Sequence, residues 1–338
     1  MTHRDYVLAA INHRETDRVP YSFGFDDGTD KELDAYYGAT DWRGKLQSFL
    51  KTVGGVDANA ERQIDAAHRQ DIFGTVWRVD RRPWHLEKPA LSEPRLDSIV
   101  WPAVEQFPLS VDANVAQLTG PQAEQFSILG NGWGLFEQSW RLRGFENALM
   151  DCIAEQDFYE ALLEKLTALR LGMVARFKDI RADAVMFGDD WGDQRGVIIG
   201  PERWRKLLKP RWAKVFAATH AQGKHTICHS CGSVAAIIPD LIEIGLDVLE
   251  SVQPEAAGMD PFALKKKFGD KITFWGCLGS QSTLQFGTPK QIRARVQALC
   301  KRMGKGGGYI LAPAKGIQPG TPPANAAAAV EAFATQNL

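Results

Sequence analysis

The feature that most constrains the fold is a regular alternation of short apolar segments and longer amphipathic segments, which begins at Phe126. Apolar runs of strand length follow one another along this part of the chain, and segments of helical length separate them. The predicted strands are 126–130, 184–188, 225–229, 247–252, 272–276 and 309–312. Strands that alternate with helices at this spacing pair in parallel through right-handed crossovers.

Two earlier apolar segments, 19–25 and 71–79, bring the predicted strand count to eight, with a polar helix expected at 43–53 between them. No Gly-x-Gly-x-x-Gly follows an early strand, so a dinucleotide-binding sheet has little support. Eight strand–helix units are typical of a TIM barrel, and residues 3–13 precede them as an amphipathic helix. We therefore expect an α/β fold in which residues 1–338 form a single (β/α)8 barrel domain with an N-terminal helical extension.

The composition excludes several classes of protein. The chain has 40 basic and 41 acidic residues, which give a formal net charge of −1. A chain without a basic excess is not suited to broad electrostatic capture of nucleic acid or of an anionic membrane. No run reaches the length of a membrane span, and the N-terminus lacks the apolar core of a signal peptide. Since the 5 cysteines have no disulfide-scaffold spacing, we expect a cytoplasmic protein with free thiols.

The densest cluster of metal-ligating residue types is segment 225–232, which reads His-Thr-Ile-Cys-His-Ser-Cys-Gly. Because side chains alternate along a strand, His229 and Cys231 point the same way and Cys228 points the other way. A nitrogen and a sulfur side by side are ligands that Zn²⁺ prefers. The alternative is a packed core, since free cysteine is among the most buried residue types.

In a barrel of this class, catalytic and binding residues lie at the carboxyl ends of the strands. The polar residues that follow the eight predicted strands are Asp26, Asp27, Trp77, Arg78, Asn131, Asp189, Asp190, His229, Cys231, Glu250, Gln253, Cys277, Gln281 and Lys315. Three soft ligands, His229, Cys231 and Cys277, fall at one rim, and three ligands with an open fourth position are typical of a catalytic zinc site. The structural alternatives are a loop cap at Asp189, a small filler at Cys277 and a solvated charge at Lys315.

Seven stretches spread over the chain are specific when they are taken together. They are Asn-His-Arg-Glu-Thr-Asp-Arg-Val-Pro at 12–20, Asp-Ile-Phe-Gly-Thr at 71–75, Gly-Asp-Asp-Trp-Gly-Asp-Gln at 188–194, His-Ser-Cys-Gly at 229–232, Gln-Pro-Glu-Ala-Ala-Gly-Met-Asp at 253–260, Phe-Trp-Gly at 274–276 and Gly-Ile-Gln-Pro-Gly-Thr-Pro at 316–322. In these stretches the chain resembles the uroporphyrinogen decarboxylase superfamily, specifically its cobamide-dependent methyltransferase-like branch. The fold of that family is a (β/α)8 barrel, in agreement with the strand pattern.

The resemblance also implies a metal site. Methyltransferases of the family bind zinc through a His-x-Cys pair, which His229 and Cys231 match, and through a later cysteine. That later position is Lys315 in this chain. Either Cys277 supplies the third ligand, or the site is an incomplete relic, or the metal is held differently.

The region after the first strand separates this chain from the porphyrinogen decarboxylases. Those enzymes carry Arg-Gln-Ala-Gly-Arg there, and that segment grips substrate carboxylates. Residues 23–28 of this chain read Phe-Gly-Phe-Asp-Asp-Gly instead. Because two carboxylates repel a polyacidic tetrapyrrole, uroporphyrinogen is not the expected substrate.

The resemblance therefore implies a zinc-assisted methyltransferase that moves a methyl group between a small methyl donor or thiol and a corrinoid (cobamide) carried by a partner protein. The residues expected in catalysis are Asp189, Glu250 and Lys315. Those expected to bind substrate are Asp26, Asp27, Trp77, Asn131, Asp190, Gln253 and Gln281. Those expected to bind zinc are His229, Cys231 and Cys277.

Two other functions stay open at this point. The first is a decarboxylase or lyase of a small carboxylic acid that uses Asp26 or Asp189 with Lys315. An arginine cluster at the mouth, drawn from Arg78, Arg141 and Arg143, would favour it. The second is a non-catalytic binding protein, favoured if the three zinc ligands lie too far apart to share an ion. The sequence does not specify the methyl donor, the acceptor, the direction of transfer or the oligomeric state.

Overall fold

The computed structural model of the chain describes residues 1–26, 28–58 and 60–336, which form an α/β fold. The strands are β1 (Leu50–Val56), β2 (Glu61–Gln63), β3 (His68–Asp71), β4 (Val76–Arg78), β5 (His85–Lys88), β6 (Leu109–Val111), β7 (Phe126–Trp133), β8 (Ala184–Gly188), β9 (His225–His229), β10 (Val248–Val252), β11 (Thr273–Leu278) and β12 (Tyr309–Pro313). The helices are α1 (His3–Ile11), α2 (Thr29–Tyr37), α3 (Ala113–Ala116), α4 (Leu135–Arg143), α5 (Phe145–Ala154), α6 (Gln156–Ala175), α7 (Pro201–Leu207), α8 (Lys209–His220), α9 (Ile238–Glu243), α10 (Pro261–Phe268), α11 (Thr283–Phe286), α12 (Pro289–Met303) and α13 (Pro323–Thr335). Short 3-10 helices cover Asp41–Lys45, Leu96–Ser98, Val104–Gln106, Pro121–Glu124 and Ala235–Ile237.

The central sheet has the order β12-β11-β10-β9-β8-β7-β1-β6. The strands from β7 to β12 and β1 pair in parallel, whereas β6 joins the edge of β1 in the antiparallel sense. At the other edge, Tyr21 and Phe25 form parallel bridges with Leu311 and Ile317, so the segment 19–25 borders β12. Seven parallel strands and this eighth parallel segment, alternating with helices, confirm the predicted (β/α)8 class.

The second strand lies at a different place from the predicted one. Segment 71–79 belongs to a separate antiparallel sheet of order β2-β3-β4-β5, and the barrel strand is β1, where a helix was expected. The reason is a pair of glycines, Gly54 and Gly55, whose φ angles are 127° and 145°. A Cβ on either residue would lie 2.0 Å from a backbone oxygen of the neighbouring strand. Glycine in a strand allows such a close approach, but it hides the apolar alternation that marks a strand.

Helix α1, the predicted N-terminal extension, packs at the amino-terminal ends of the strands. Arg4 of α1 pairs at 2.8 Å with Asp183, which directly precedes β8. At the other end of the helix, Gly308 donates a backbone hydrogen bond to Ala10. The carboxyl ends of the strands therefore form the opposite, open face of the barrel. Within the described part of the chain, no helix combines the length and the apolar character needed to cross a membrane.

Candidate metal and substrate site

Three potential metal ligands meet at the carboxyl ends of β8 and β9. They are Asp190, His229 and Cys231, and one ligand atom of each lies within 4.8 Å of the others. His229 Nε2 is 3.5 Å from Asp190 Oδ1. Among the described residues this is the group of His, Cys and acidic side chains whose geometry suits a shared ion.

The loops that carry these ligands are held together by a close glycine contact. Gly232 has φ 77°, and a Cβ on it would lie 2.5 Å from the carbonyl oxygen of Gly192. This contact brings the loop after β9 against the loop after β8. As a result, the Cys231 backbone N–H donates to Asp190 Oδ1 at 2.9 Å.

A second carboxylate orients the histidine. Glu250 lies opposite His229 in the parallel pairing of β9 and β10, and its Oε2 is 2.5 Å from His229 Nδ1. A carboxylate on one ring nitrogen is the usual arrangement behind a metal-bound histidine, because it fixes the tautomer and leaves the other nitrogen free to ligate. Burial lowers the pKa of His229. The charge of Glu250 and the contacts with Cys231 and Asp190 raise it by more than burial lowers it, so the pKa lies well above its usual value.

Cys277 is not brought to this group, which corrects its expected place as the third zinc ligand. It is fully buried on β11. Gly276 and Cys277 both have positive φ angles, 123° and 75°, and two such residues in succession break the alternation on which the expectation rested. The Cys277 thiol interacts with Tyr309 and Arg295, and burial raises its pKa. Asp190, expected as a substrate contact, is the third member of the group instead.

A pocket of about 470 Å³ opens beside the group and is lined by His229, Cys231 and Asp190. Much of its remaining wall consists of the amide side chains of Gln194, Gln253, Gln281, Gln285 and Gln318. Gln253 is held in place, since its Oε1 accepts from the Gly232 N–H at 3.1 Å. This wall offers both donors and acceptors to a polar ligand.

Lys315 supplies the positive charge of the pocket wall. Ser280 Oγ binds its backbone on both sides, at 2.9 Å to the nitrogen and 3.0 Å to the oxygen. Among the described residues, its ammonium group has no hydrogen-bond or ion-pair partner. Lys315 is therefore free to bind a negative group that enters the pocket.

Asp189 is a structural anchor. It is fully buried, and its carboxylate accepts from the Phe136 and Glu137 N–H groups at 3.2 and 2.8 Å. The indole N–H groups of Trp191 and Trp212 also donate to it, at 2.7 and 3.0 Å. Burial raises its pKa to about 6. Because these contacts cap the first turn of α4 and fix the loop after β8, Asp189 positions Asp190, and its expected catalytic role has no support in the geometry.

The other expected substrate residues lie away from the group. Asn131 is buried, and its side-chain and backbone oxygens both accept from Arg170 of α6. Trp77 lies in the small antiparallel sheet beneath Arg141, not at a barrel strand end. Asp26 supports the pocket wall, since it accepts from Gln318 Nε2 at 2.5 Å. Asp27 lies outside the described residues.

The three arginines proposed as a carboxylate-binding cluster occupy separate places. Arg78 pairs with Asp80 at 3.0 Å, and Arg143 pairs with Asp151 at 2.7 Å. Arg141 stacks on Trp77, with its guanidinium carbon 4.5 Å from the ring centre. No arginine cluster therefore forms at the mouth from these residues.

One carboxyl group at the mouth has no strand-end signal in the sequence. Glu137 lies in the first turn of α4, and burial, followed by the charges of Asp189 and Asp190, raises its pKa to about 7. A perturbed carboxyl group beside a cluster of ligating side chains marks a functional-site candidate. It was missed because it follows the end of β7 by several residues and lies on a helix. The spacing of Glu137 and Arg141, four residues apart on one face of α4, is the signal that could have drawn attention to it.

The donor set fits zinc. One imidazole nitrogen, one thiol and one carboxylate oxygen are all zinc ligands in proteins, and three protein ligands are the usual number in catalytic sites. Compared with a set of one histidine and two cysteines, an oxygen in place of a sulfur makes the site less soft. The group thus suits a zinc ion that keeps an open coordination position toward the pocket.

The chain matches a known protein family and several known proteins. A family model described as uroporphyrinogen decarboxylase (URO-D) matches residues 85–336. The chain is 29% identical over 183 residues to the methylcobamide:CoM methyltransferase MtaA of Methanosarcina barkeri, covering 53% of this chain and 50% of that one. The chain thus spans about half the length of that relative. It is also 24% identical over 261 residues to a uroporphyrinogen decarboxylase of Coxiella burnetii, covering 73% and 68% of the two chains.

A solved structure has the same fold. A methyltransferase from Methanosarcina mazei superimposes with a TM-score of 0.69 over 98% of both chains, at 20% sequence identity. The family model alone covers well over half of the sequence. The chain therefore belongs to the uroporphyrinogen decarboxylase family, and it is similar to that family's cobamide-dependent methyltransferases.

Proposed function

We propose that the protein is a corrinoid-linked methyltransferase, which moves a methyl group between a small substrate in the pocket and a cobamide held by a partner protein. The observation that carries this proposal is the Asp190–His229–Cys231 group beside a polar pocket. A relative with detectable sequence similarity is a methylcobamide:CoM methyltransferase. The open face of the barrel is the side from which both substrate and cobamide would enter.

His229, Cys231 and Asp190 would hold a zinc ion at this face. When bound, zinc supplies Lewis acidity, which deprotonates a coordinating thiol or polarises the heteroatom of a methyl donor. Glu250 holds the Nδ1 proton of His229 and keeps Nε2 directed toward the other two ligands. Cys231 must lose its proton to ligate, so ion binding and proton release are coupled.

The pocket wall would bind and orient the substrate. Amide groups such as that of Gln253 donate and accept hydrogen bonds, and the ammonium group of Lys315 attracts a negative group on the substrate. Holding the substrate by its polar end leaves its thiol or methyl group near His229 and Cys231. Positioning of this kind lowers the activation free energy, because the reacting groups no longer have to be brought together during the reaction.

Methyl transfer is tested directly with free methylcobalamin in place of the carrier protein. Protein reconstituted with zinc is mixed with methylcobalamin and a series of small thiols, and the loss of the methyl–cobalt bond is followed by absorbance. We expect demethylation that depends on a thiol and is lost in His229→Ala. Cys277→Ser is the matched control and should keep the activity. The proposal would be contradicted if no thiol of the series demethylates methylcobalamin and if the reverse transfer, from a methylated substrate to cobalamin, is also absent.

Decarboxylation of a small carboxylic acid is the second candidate function. The unpaired ammonium group of Lys315 in the pocket wall favours it, since a cation in the wall can bind a carboxylate and stabilise the negative charge that develops on its loss. Release of CO₂ from small acids, abolished by Lys315→Met and indifferent to chelators, would support decarboxylation over methyl transfer.

A further inference from the structure

A second pocket lies at the amino-terminal end of the barrel, opposite the candidate metal site. Its volume is about 500 Å³. The residues of its wall that carry the argument are Arg4, Lys178, Asp179, Arg181, Gln222 and Lys224. His225, the first residue of β9, also borders it. Its location separates it from the proposed chemistry at the carboxyl ends of the strands.

Lys224 is the most unusual residue of this wall. Its exposed fraction is 4%, and burial lowers its pKa. Among the described residues it has no hydrogen bond or ion pair, and the carboxylate whose charge acts on it is Asp179. Its aliphatic stem is covered, but its ammonium nitrogen is not one of the buried polar atoms that lack a partner, so the ammonium group opens to the pocket. Lys224 therefore borders the pocket as a cation that lacks a close counter-charge.

The charges around the pocket do not balance. Arg4 is neutralised by Asp183, at 2.8 Å. The other oxygen of Asp183 is also engaged, because it accepts from the Ser127 N–H at 2.8 Å. Lys178, Arg181 and Lys224 are then left against Asp179 alone, which leaves an excess of two positive charges in the wall. A concave wall with an excess of one sign of charge concentrates ions of the opposite sign.

Gln222 adds an unsatisfied acceptor to the same wall. Its Nε2 donates to the Val174 carbonyl at 2.8 Å. Its Oε1 is buried and has no hydrogen-bond partner among the described residues. Because this oxygen is buried even in the empty pocket, Gln222 shapes the wall and does not contact a ligand. A volume of about 500 Å³ exceeds what one phosphate ion needs, so a fitting ligand would bring negative charge together with a further polar part.

We propose that this pocket binds a small phosphate ester. A phosphate group carries between one and two negative charges at neutral pH and offers several strong acceptor oxygens to Lys224, Lys178 and Arg181. The rest of the ester occupies the part of the pocket that the phosphate group leaves free. The pocket and the candidate metal site lie at opposite ends of β9, from His225 to His229, about 13 Å apart along the strand. Variants at the pocket therefore leave the metal ligands in place, and the inference does not depend on the proposed methyl transfer.

Binding is tested by calorimetric titration of the intact protein with inorganic phosphate and with glucose 6-phosphate. Sodium chloride and sodium sulfate at equal ionic strength are the controls. We expect saturable binding of glucose 6-phosphate, with weaker binding of inorganic phosphate and none of chloride. Lys224→Met should weaken binding about tenfold or more, the loss expected for one charge-assisted hydrogen bond.

Two further variants keep the test independent of folding. Lys178→Gln combined with Arg181→Gln changes exposed residues only and should also weaken binding, whereas Lys266→Met, on an exposed face of α10, should not. Thermal unfolding of Lys224→Met without phosphate should match wild type, because methionine keeps the buried apolar stem and the ammonium group that it removes has no hydrogen-bond partner. The proposal would be overturned if phosphate and sulfate gave equal heats of binding, or if Lys224→Met bound glucose 6-phosphate with the affinity of wild type.

Discussion

The pKa values of buried carboxyl groups shift in opposite directions at the two ends of the barrel. At the open end, the pKa of Asp189 rises to about 6 and that of Glu137 to about 7, because burial is not fully compensated there. At the amino-terminal end, hydrogen bonds from His220, His225 and Thr226 lower the pKa of Asp247, although burial opposes them. Asp183 at that end is likewise paired with α1. The amino-terminal end stabilises the fold through paired carboxylates, whereas the open end keeps carboxyl groups with raised pKa values, which suits the arrival of a cation.

The largest expected difference in stability is between substitutions of one carboxylate at each end of the barrel. Asp183→Asn removes the charge that binds Arg4 and Ser127 in a buried place. It should lower the free energy of unfolding by about 1–3 kcal/mol, because a buried amide cannot accept all of the hydrogen bonds that Arg4 and Ser127 donate to the carboxylate. Asp190→Asn in metal-free protein should change it by less than about 0.5 kcal/mol, as is usual for partly exposed groups. Urea unfolding measures the loss of stability in both variants, and equal losses would contradict the contrast between the two ends.

A second prediction concerns the pH dependence of the open end. The folded-state pKa of Glu137 is raised from its ordinary value of 4.5 to about 7, so folding becomes less favourable as pH rises between these values. Glu137→Gln removes this loss. At pH 8 the metal-free variant should be about 1–2 kcal/mol more stable than wild type, and near pH 4 the two should be alike. Urea unfolding at pH 4, 6 and 8 tests this, and a gap that does not vary with pH would contradict it.

At the amino-terminal end, a substitution should have the opposite effect on stability. The hydrogen bond that His220 Nε2 donates to Asp247 Oδ2, at 2.8 Å, raises the pKa of His220. Its contribution to stability is fully present below the unfolded-state pKa and is lost as pH rises through the folded-state pKa. His220→Gln should therefore lower the free energy of unfolding at pH 5.5 by less than about 1 kcal/mol, since the pair is partly exposed. Near pH 9 the variant should equal wild type. A stabilised variant at pH 5.5 would remove the contrast between the two ends.

The smallest expected effect on stability belongs to Lys315. Its ammonium group is exposed and unpaired among the described residues, so Lys315→Met should change the free energy of unfolding by less than about 0.5 kcal/mol. The same change should weaken the binding of 3-mercaptopropionate to zinc-loaded protein about tenfold, and that of the uncharged 3-mercaptopropanol little. Calorimetric titration of the two thiols measures the ratio. Equal weakening of both would show that Lys315 does not contact the charged group.

Strong apolar periodicity made much of the fold predictable. Strands β8 and β9 have the predicted bounds, and the turn of β9 into its loop brings His229 and Cys231 together as their alternation implies. Strand β1 was not predictable from apolar pattern, because Gly54 and Gly55 remove the side chains that would show it. These two glycines are instead required by the close approach of neighbouring strands.

The candidate site was predictable only in part, for reasons of local geometry. Cys277 was expected beside His229, but the left-handed backbone at 276–277 turns its thiol elsewhere. Asp190 became a ligand candidate through the contact between two loops, which no strand-end rule describes. Glu137 lies on a helix after the strand, beyond the reach of the same rule.

The central claim is that Asp190, His229 and Cys231 together hold a metal ion. Zinc content by mass spectrometry of protein purified without chelator tests it most directly, in wild type, Cys231→Ser, Asp190→Asn and the matched control Cys277→Ser. We expect about one zinc per chain in wild type and in Cys277→Ser, as for a three-ligand catalytic site, and a strong loss in the other two variants. Zinc lost from Cys277→Ser but retained in Asp190→Asn, or no zinc bound by wild type after reconstitution, would contradict the claim.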